Sequence, residues 1–189
     1  SRPPTKEGRI DMDRPFIVKV IAAALAILIG FLLQTCLCST ILRLYSIPNI
    51  LLFVTVMYGL RYDRYAGLAV GAVCGLLTDI FSGTMLIGFY MLIYALLGIA
   101  CGLLHRFLNE QEFALPVIMT VICDLVYGLY VYVFMFMLRG DFRFRLYLNR
   151  VIFPEALFTA IAAFILFWVM RAQFNAVSRY EKRRARKFG

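Results

Sequence analysis

The residues that could do chemistry in this 189-residue chain are few, and most of them sit inside apolar runs. Three carboxylates, Asp79, Asp124 and Glu155, fall in stretches hydrophobic enough to cross a bilayer. A charge at that depth is costly, and such residues mark ion paths, proton relays or structural pairings. No nucleophile–base set accompanies them. His105 is the single histidine; it adjoins Arg106 at an expected helix end, which suits an interfacial residue better than a ligand. Cys36, Cys38, Cys74, Cys101 and Cys123 match no zinc or redox spacing and read as small apolar filler. No phosphate-binding or dinucleotide-binding glycine pattern occurs. The sequence therefore predicts no catalytic residue, no metal site and no cofactor.

The remaining chemistry is steric. Gly67, Gly71 and Gly75 recur at every fourth residue, Asp79 follows at the same interval, and Gly83 and Gly88 come after it. In a soluble helix each such glycine costs about 1 kcal/mol relative to alanine. In a bilayer a face of small residues lets two helix backbones touch, so van der Waals contact replaces the missing hydrophobic drive. Gly98-x-x-x-Gly102 repeats the pattern, and Ala22-x-x-x-Ala26 gives a smaller version of it. These glycines, with Asp79, are the candidate helix-packing or partner-binding residues.

The elements that position them are membrane helices. The chain is 62% hydrophobic and 16% charged, with a mean hydropathy of +0.82. Soluble domains are about 45–50% apolar and about 25% charged. The apolar residues come in long blocks, which predicts an all-α polytopic bundle of six transmembrane helices over residues 16–37, 50–60, 65–81, 85–104, 115–138 and 151–170. The second is short for a span; Pro48-Asn49 marks its start, and it either begins before the proline or lies shallow. Three regions follow: a disordered polar segment over 1–14, the bundle over 15–171 and a basic tail over 172–189. Met12-Asp-Arg-Pro15 reads as a natural start, which makes residues 1–11 an extension ahead of it.

The net charge of +9 would suggest nucleic acid in a soluble protein. Here much of it lies at the chain ends, so anionic lipid headgroups are the expected counter-charge and nucleic acid is excluded. In the tail, Arg179, Lys182, Arg183, Arg184, Arg186 and Lys187 form a membrane-surface cluster that fixes orientation. Six spans place both termini on one side, and the arginine and lysine distribution puts that side in the cytoplasm. One loop breaks the rule: Arg139, Arg143, Arg145 and Arg150 fall outside. Asp79 and Glu155, both near outer helix ends, are candidate ion-pair partners for Arg139, Arg143 and Arg145. The alternatives are headgroup water for both, a turn-fixing role for Asp79, and complementing of the helix dipole for Glu155. Asp124 lies deeper, and a hydrogen-bonded packing role is preferred over a proton or ion site.

Ile47-Pro48-Asn49-Ile-Leu-Leu-Phe, then Gly67-x3-Gly71-x3-Gly75-Leu-Leu-x-Asp79-x3-Gly83-x4-Gly88, then Gly102-Leu-Leu-His105-Arg106, resemble the MreD family of rod shape-determining membrane proteins. The likeness is strongest over residues 47–106, and Gly-Leu-Leu-x-Asp-x3-Gly is its specific part. The basic tail and the arginine-rich loop are not matched. The resemblance implies a non-enzymatic scaffold in the bacterial cell membrane. It implies a single-span partner, MreC, and action with MreB, RodA and its transpeptidase in wall elongation. It also implies a fold similar to the vitamin-binding S components of energy-coupling-factor transporters, which supplies the alternative function. An S component would use Ala22-x-x-x-Ala26 to dock its transporter and would need a polar pocket, for which Asp124, Tyr127, Tyr130, Tyr132 and Glu155 are available. On the scaffold reading, surfaces near Asp79 receive partner helices, unless the glycine face packs wholly within the bundle.

Overall fold

The structure, a computed structural model, describes residues 6–41, 48–82, 88–104, 114–135, 148 and 152–188. Among these residues there are six α-helices and no strand: α1 (Lys6–Ile41), α2 (Ile50–Arg61), α3 (Arg64–Ser82), α4 (Phe89–Leu104), α5 (Ala114–Met135) and α6 (Phe153–Phe188). Four of them carry segments long and apolar enough to cross a membrane: Ile17–Cys36, Arg64–Ser82, Leu115–Phe134 and Phe153–Arg179. The outward faces of α1, α5 and α6 are dense in half-exposed large apolar side chains, among them Leu25, Leu32, Ile122, Leu129, Ile161 and Trp168. Apolar surface that continuous suits lipid as the surrounding solvent.

Two helices are shorter. α4 has 16 residues and rises about 24 Å; α2 has 12 and rises about 18 Å. Against a hydrocarbon core of about 30 Å, α2 by itself is about 12 Å short of the full thickness. It begins after Pro48, and every residue from Ile50 to Leu60 is buried within the protein. A helix apolar on all sides finds its place inside the protein. α2 packs against each of the other five helices and forms the axis of the bundle.

α1 begins at Lys6, ahead of the expected residue 16, and α6 continues through the basic stretch to Phe188. The N-terminal half of α1 and the C-terminal half of α6 meet near Ala22 and Gln173. Gln173 Nε2 donates to the Ala22 carbonyl at 2.5 Å, and the Phe174 ring lies edge-on to Tyr58 and Tyr62 at 5.2 and 5.7 Å. Arg61 stacks over Phe174 and Lys19 over Tyr62. This end therefore gathers cations and aromatic rings, the pairing expected at a membrane surface.

Candidate functional site

α3 and α4 run antiparallel with their backbones in contact, and the glycines explain how. A Cβ placed on Gly67 would strike the Gly98 carbonyl, one on Gly71 the Tyr94 carbonyl, and one on Gly75 would lie 2.5 Å from the Met91 Cα. In the reverse sense, a Cβ on Gly98 would strike the Gly67 carbonyl, and one on Gly102 the backbone of Arg64. Four pairs, Gly67–Gly98, Gly71–Tyr94, Gly75–Met91 and Gly102–Arg64, are thus matched along one seam, and no side chain fits at its five glycines. The face left open by the spacing is internal: Gly67, Gly71 and Gly75 are buried. Gly59 of α2, which sequence reasoning missed, closes the same seam; a Cβ there would lie 2.9 Å from the Gly98 carbonyl.

Asp79 ends the series, 2% exposed. Its Oδ2 accepts the backbone N–H groups of Gly88 and Met91 at 3.0 Å each, and its Oδ1 accepts that of Tyr90 at 2.9 Å. A helix start leaves four N–H groups without intrahelical partners. Gly88 is the residue before α4, held at φ +103°, a conformation open to glycine, and its carbonyl takes the first helical bond from Leu92. Asp79 thus caps α4 from the neighbouring helix, and its charge lies at the positive end of the helix dipole. The carboxylate ties the end of α3 to the start of α4.

The start of α2 has the same problem, deeper in the bundle, and solves it with several side chains. Asn49 precedes the helix but does not cap it. Leu51 N–H is instead taken by Gln34 Oε1 of α1 at 3.0 Å, and Asn49 N–H by Thr159 Oγ1 of α6 at 3.0 Å. The Asn49 Oδ1 accepts the Tyr94 hydroxyl of α4. Asp124 of α5 lies beside the Thr159 and Asn49 side chains. Asn49, Thr159 and Asp124 are 4%, 1% and 3% exposed. Polar residues from α1, α4, α5 and α6 therefore converge on Pro48-Asn49, the junction singled out in the sequence. Among the described residues, Asp124 Oδ1 has no hydrogen-bond partner.

Around this hub the α4–α5 interface is aromatic. Phe89, Tyr90, Tyr127, Tyr130 and Phe134 stack along it, and the Tyr130 hydroxyl donates to the Phe89 carbonyl at 3.3 Å. Glu155 sits half-buried in the first turn of α6, within electrostatic reach of Asp124. Tyr132 is buried in α5. Ala22 and Ala26 face inward and are buried, so the small face of α1 is used inside the bundle. Cys74, Cys101 and Cys123 are buried, with the Cys101 and Cys123 sulfurs 3.6 Å apart, whereas Cys36 is exposed.

Gly83, Arg139, Arg143, Arg145 and His105 lie outside the described residues. Arg179 is exposed on α6; the side chains of Lys182, Arg183, Arg184, Arg186 and Lys187 lie outside the described set. Among the described residues no group of three or more His, Cys, Asp or Glu side chains is placed to hold a metal ion. Gln34, Tyr94 and Thr159 were not anticipated, because a single polar residue in an apolar helix carries no spacing signal that names its partner.

A second feature lies on the outside of the bundle. Between α1 and α3, backed by α2, runs a groove of about 880 Å³. Its walls are Ala23, Ala24, Ile27, Ala66, Ala69 and Val73, with Lys19, Tyr62 and Tyr65 at one end and Phe31 and Phe81 at the other.

The family model described as rod shape-determining protein MreD matches residues 14–177 of the chain. No curated protein and no solved structure matches it.

Proposed function

The chain belongs to the MreD family, a family of rod shape determination, and from that premise we propose that it is a non-enzymatic scaffold of the cell-elongation machinery. In this reading it binds an MreC-like single-span protein. It acts beside MreB filaments, RodA and its transpeptidase, and helps couple the filaments to peptidoglycan synthesis. It sits in the bacterial inner membrane as a six-span protein with both termini in the cytoplasm. The family match over most of the chain carries the proposal. The topology is supported by the gathering of Lys19, Arg61 and Arg64 at the end where α1 starts and α6 finishes.

The alternative, a small-molecule-binding transporter subunit, is less well supported. Broken-helix transporters use buried helix N-termini to hold anionic substrates. Here both such ends are occupied by the chain's own side chains, α4 by Asp79 and α2 by Gln34 and Thr159. Ala22 and Ala26, the docking face of such a subunit, are buried. What remains for a partner is the lipid-facing surface.

The test is replacement of the native gene in a rod-shaped host, with purification of the chain in mild detergent alongside co-expressed MreC. Loss of rod shape on depletion, restored by the chain, together with co-purification of MreC, supports the scaffold. Normal rods without the chain, or uptake of a vitamin that depends on it, overturns the reading.

A further inference from the structure

We propose that the groove between α1 and α3 is a site for one acidic phospholipid, with an acyl chain in the groove and the phosphate at the Lys19 end. The space exists because its walls are built from small residues: Ala23 and Ala24 on α1, Ala66 and Ala69 on α3. The two helices scarcely touch along it. At the far end they meet through the Phe31 and Phe81 rings, whose centroids are 4.6 Å apart.

That closure decides between occupants. From Lys19 to Phe31 the α1 backbone rises about 18 Å, whereas a full hydrocarbon core is about 30 Å and one leaflet about half of it. A spanning helix from a partner or a second copy needs a continuous track and would meet the Phe31–Phe81 pair midway. An acyl chain ends where the leaflet ends. The groove is one leaflet deep.

The mouth has the charge a phosphate needs. Lys19 Nζ stands 5.6 Å from the Tyr62 ring centroid. The Arg64 guanidinium lies 4.8 Å from the Tyr65 ring and donates to its hydroxyl at 3.0 Å. Arg61 lies nearby, over Phe174. Among the described side chains at this end Lys19, Arg61 and Arg64 are basic and Asp63 is acidic, its Oδ1 accepting the Arg64 backbone N–H at 2.7 Å. Basic residues near an anionic headgroup layer each strengthen binding about fivefold, and Tyr62 and Tyr65 occupy the headgroup depth that amphipathic rings prefer.

The test uses the purified full chain, delipidated in mild detergent and exposed to vesicles of dioleoyl phosphatidylglycerol or dioleoyl phosphatidylcholine, with retained lipid counted by native mass spectrometry. One phosphatidylglycerol should be retained in preference to phosphatidylcholine. Lys19→Gln should weaken that retention about fivefold. Ala69→Phe, which fills the groove, should abolish it while leaving the thermal melting unchanged. Leu92→Phe, on the exposed face of α4, should change nothing. Equal retention of the two lipids, or full retention by Ala69→Phe, overturns the proposal. So does loss of a protein partner from Ala69→Phe with its lipid count intact, since the groove would then seat a helix.

Discussion

Asp79→Ala removes the acceptor of three backbone N–H groups at the start of α4. Hydrogen bonds to a charged group contribute about 1.5–3 kcal/mol each. Gly88 is half-buried and Met91 exposed, so relaxation recovers part of the sum, and a net loss of about 4 kcal/mol is expected. For a chain of this size that is a fall of about 8–16 °C in melting temperature. Asp79→Asn keeps one oxygen; placed where Oδ2 was, it retains two of the three bonds, and about half the loss is expected. The assay is thermal unfolding in dodecyl maltoside, read with a thiol-reactive fluorophore. The buried Cys74 and Cys101 flank the α3–α4 seam, and the exposed Cys36 sets the baseline. If Asp79→Ala melts within about 3 °C of the parent, near 1 kcal/mol, the cap is not a structural necessity. A triple change of Arg139, Arg143 and Arg145 to Gln should leave melting unaltered. A fall equal to that of Asp79→Ala would show instead that an ion pair to the loop dominates.

Two further outcomes follow from the same geometry. Gly71→Leu forces a side chain against the Tyr94 carbonyl and should cost about 3 kcal/mol or more. Recovery of co-expressed MreC should fall with it; unchanged melting with full recovery would sink the packing account. Asp124→Asn keeps an oxygen for Thr159 and Asn49, and should melt within about 1 kcal/mol of the parent and still support rod shape. A variant that folds normally yet fails to support rod shape would assign Asp124 an ionic role in place of packing.

Much of this arrangement is legible in one dimension. Hydropathy blocks and the four-residue glycine repeat identify a helical membrane bundle with a close-packed seam, and Pro48-Asn49 marks a helix start. The seam's partner is less readable, since a glycine face packs equally well against α2, α4 or another protein. Only the match of Gly67 with Gly98 and of Gly75 with Met91 decides it. Asp79 shows the same limit. Its place at a helix end could be read from sequence, but its use by the N–H groups nine, eleven and twelve residues onward depends on how the chain turns. Gln34 and Thr159 were invisible because their partners lie 17 and 110 residues away, and nothing periodic links them.

The shortness of α2 has a consequence for how the protein is made. A 12-residue apolar helix is too short to be recognised as a span in its own right, so it has no stable position in the bilayer until its neighbours arrive. Asn49 waits for Thr159, which the ribosome adds 110 residues later. At about 5–20 residues per second, that leaves the axis of the bundle incomplete for about 6–22 seconds. During that interval α3 and α4, which both pack against α2, have already been made. The α2 cap is complete only once α6 supplies Thr159.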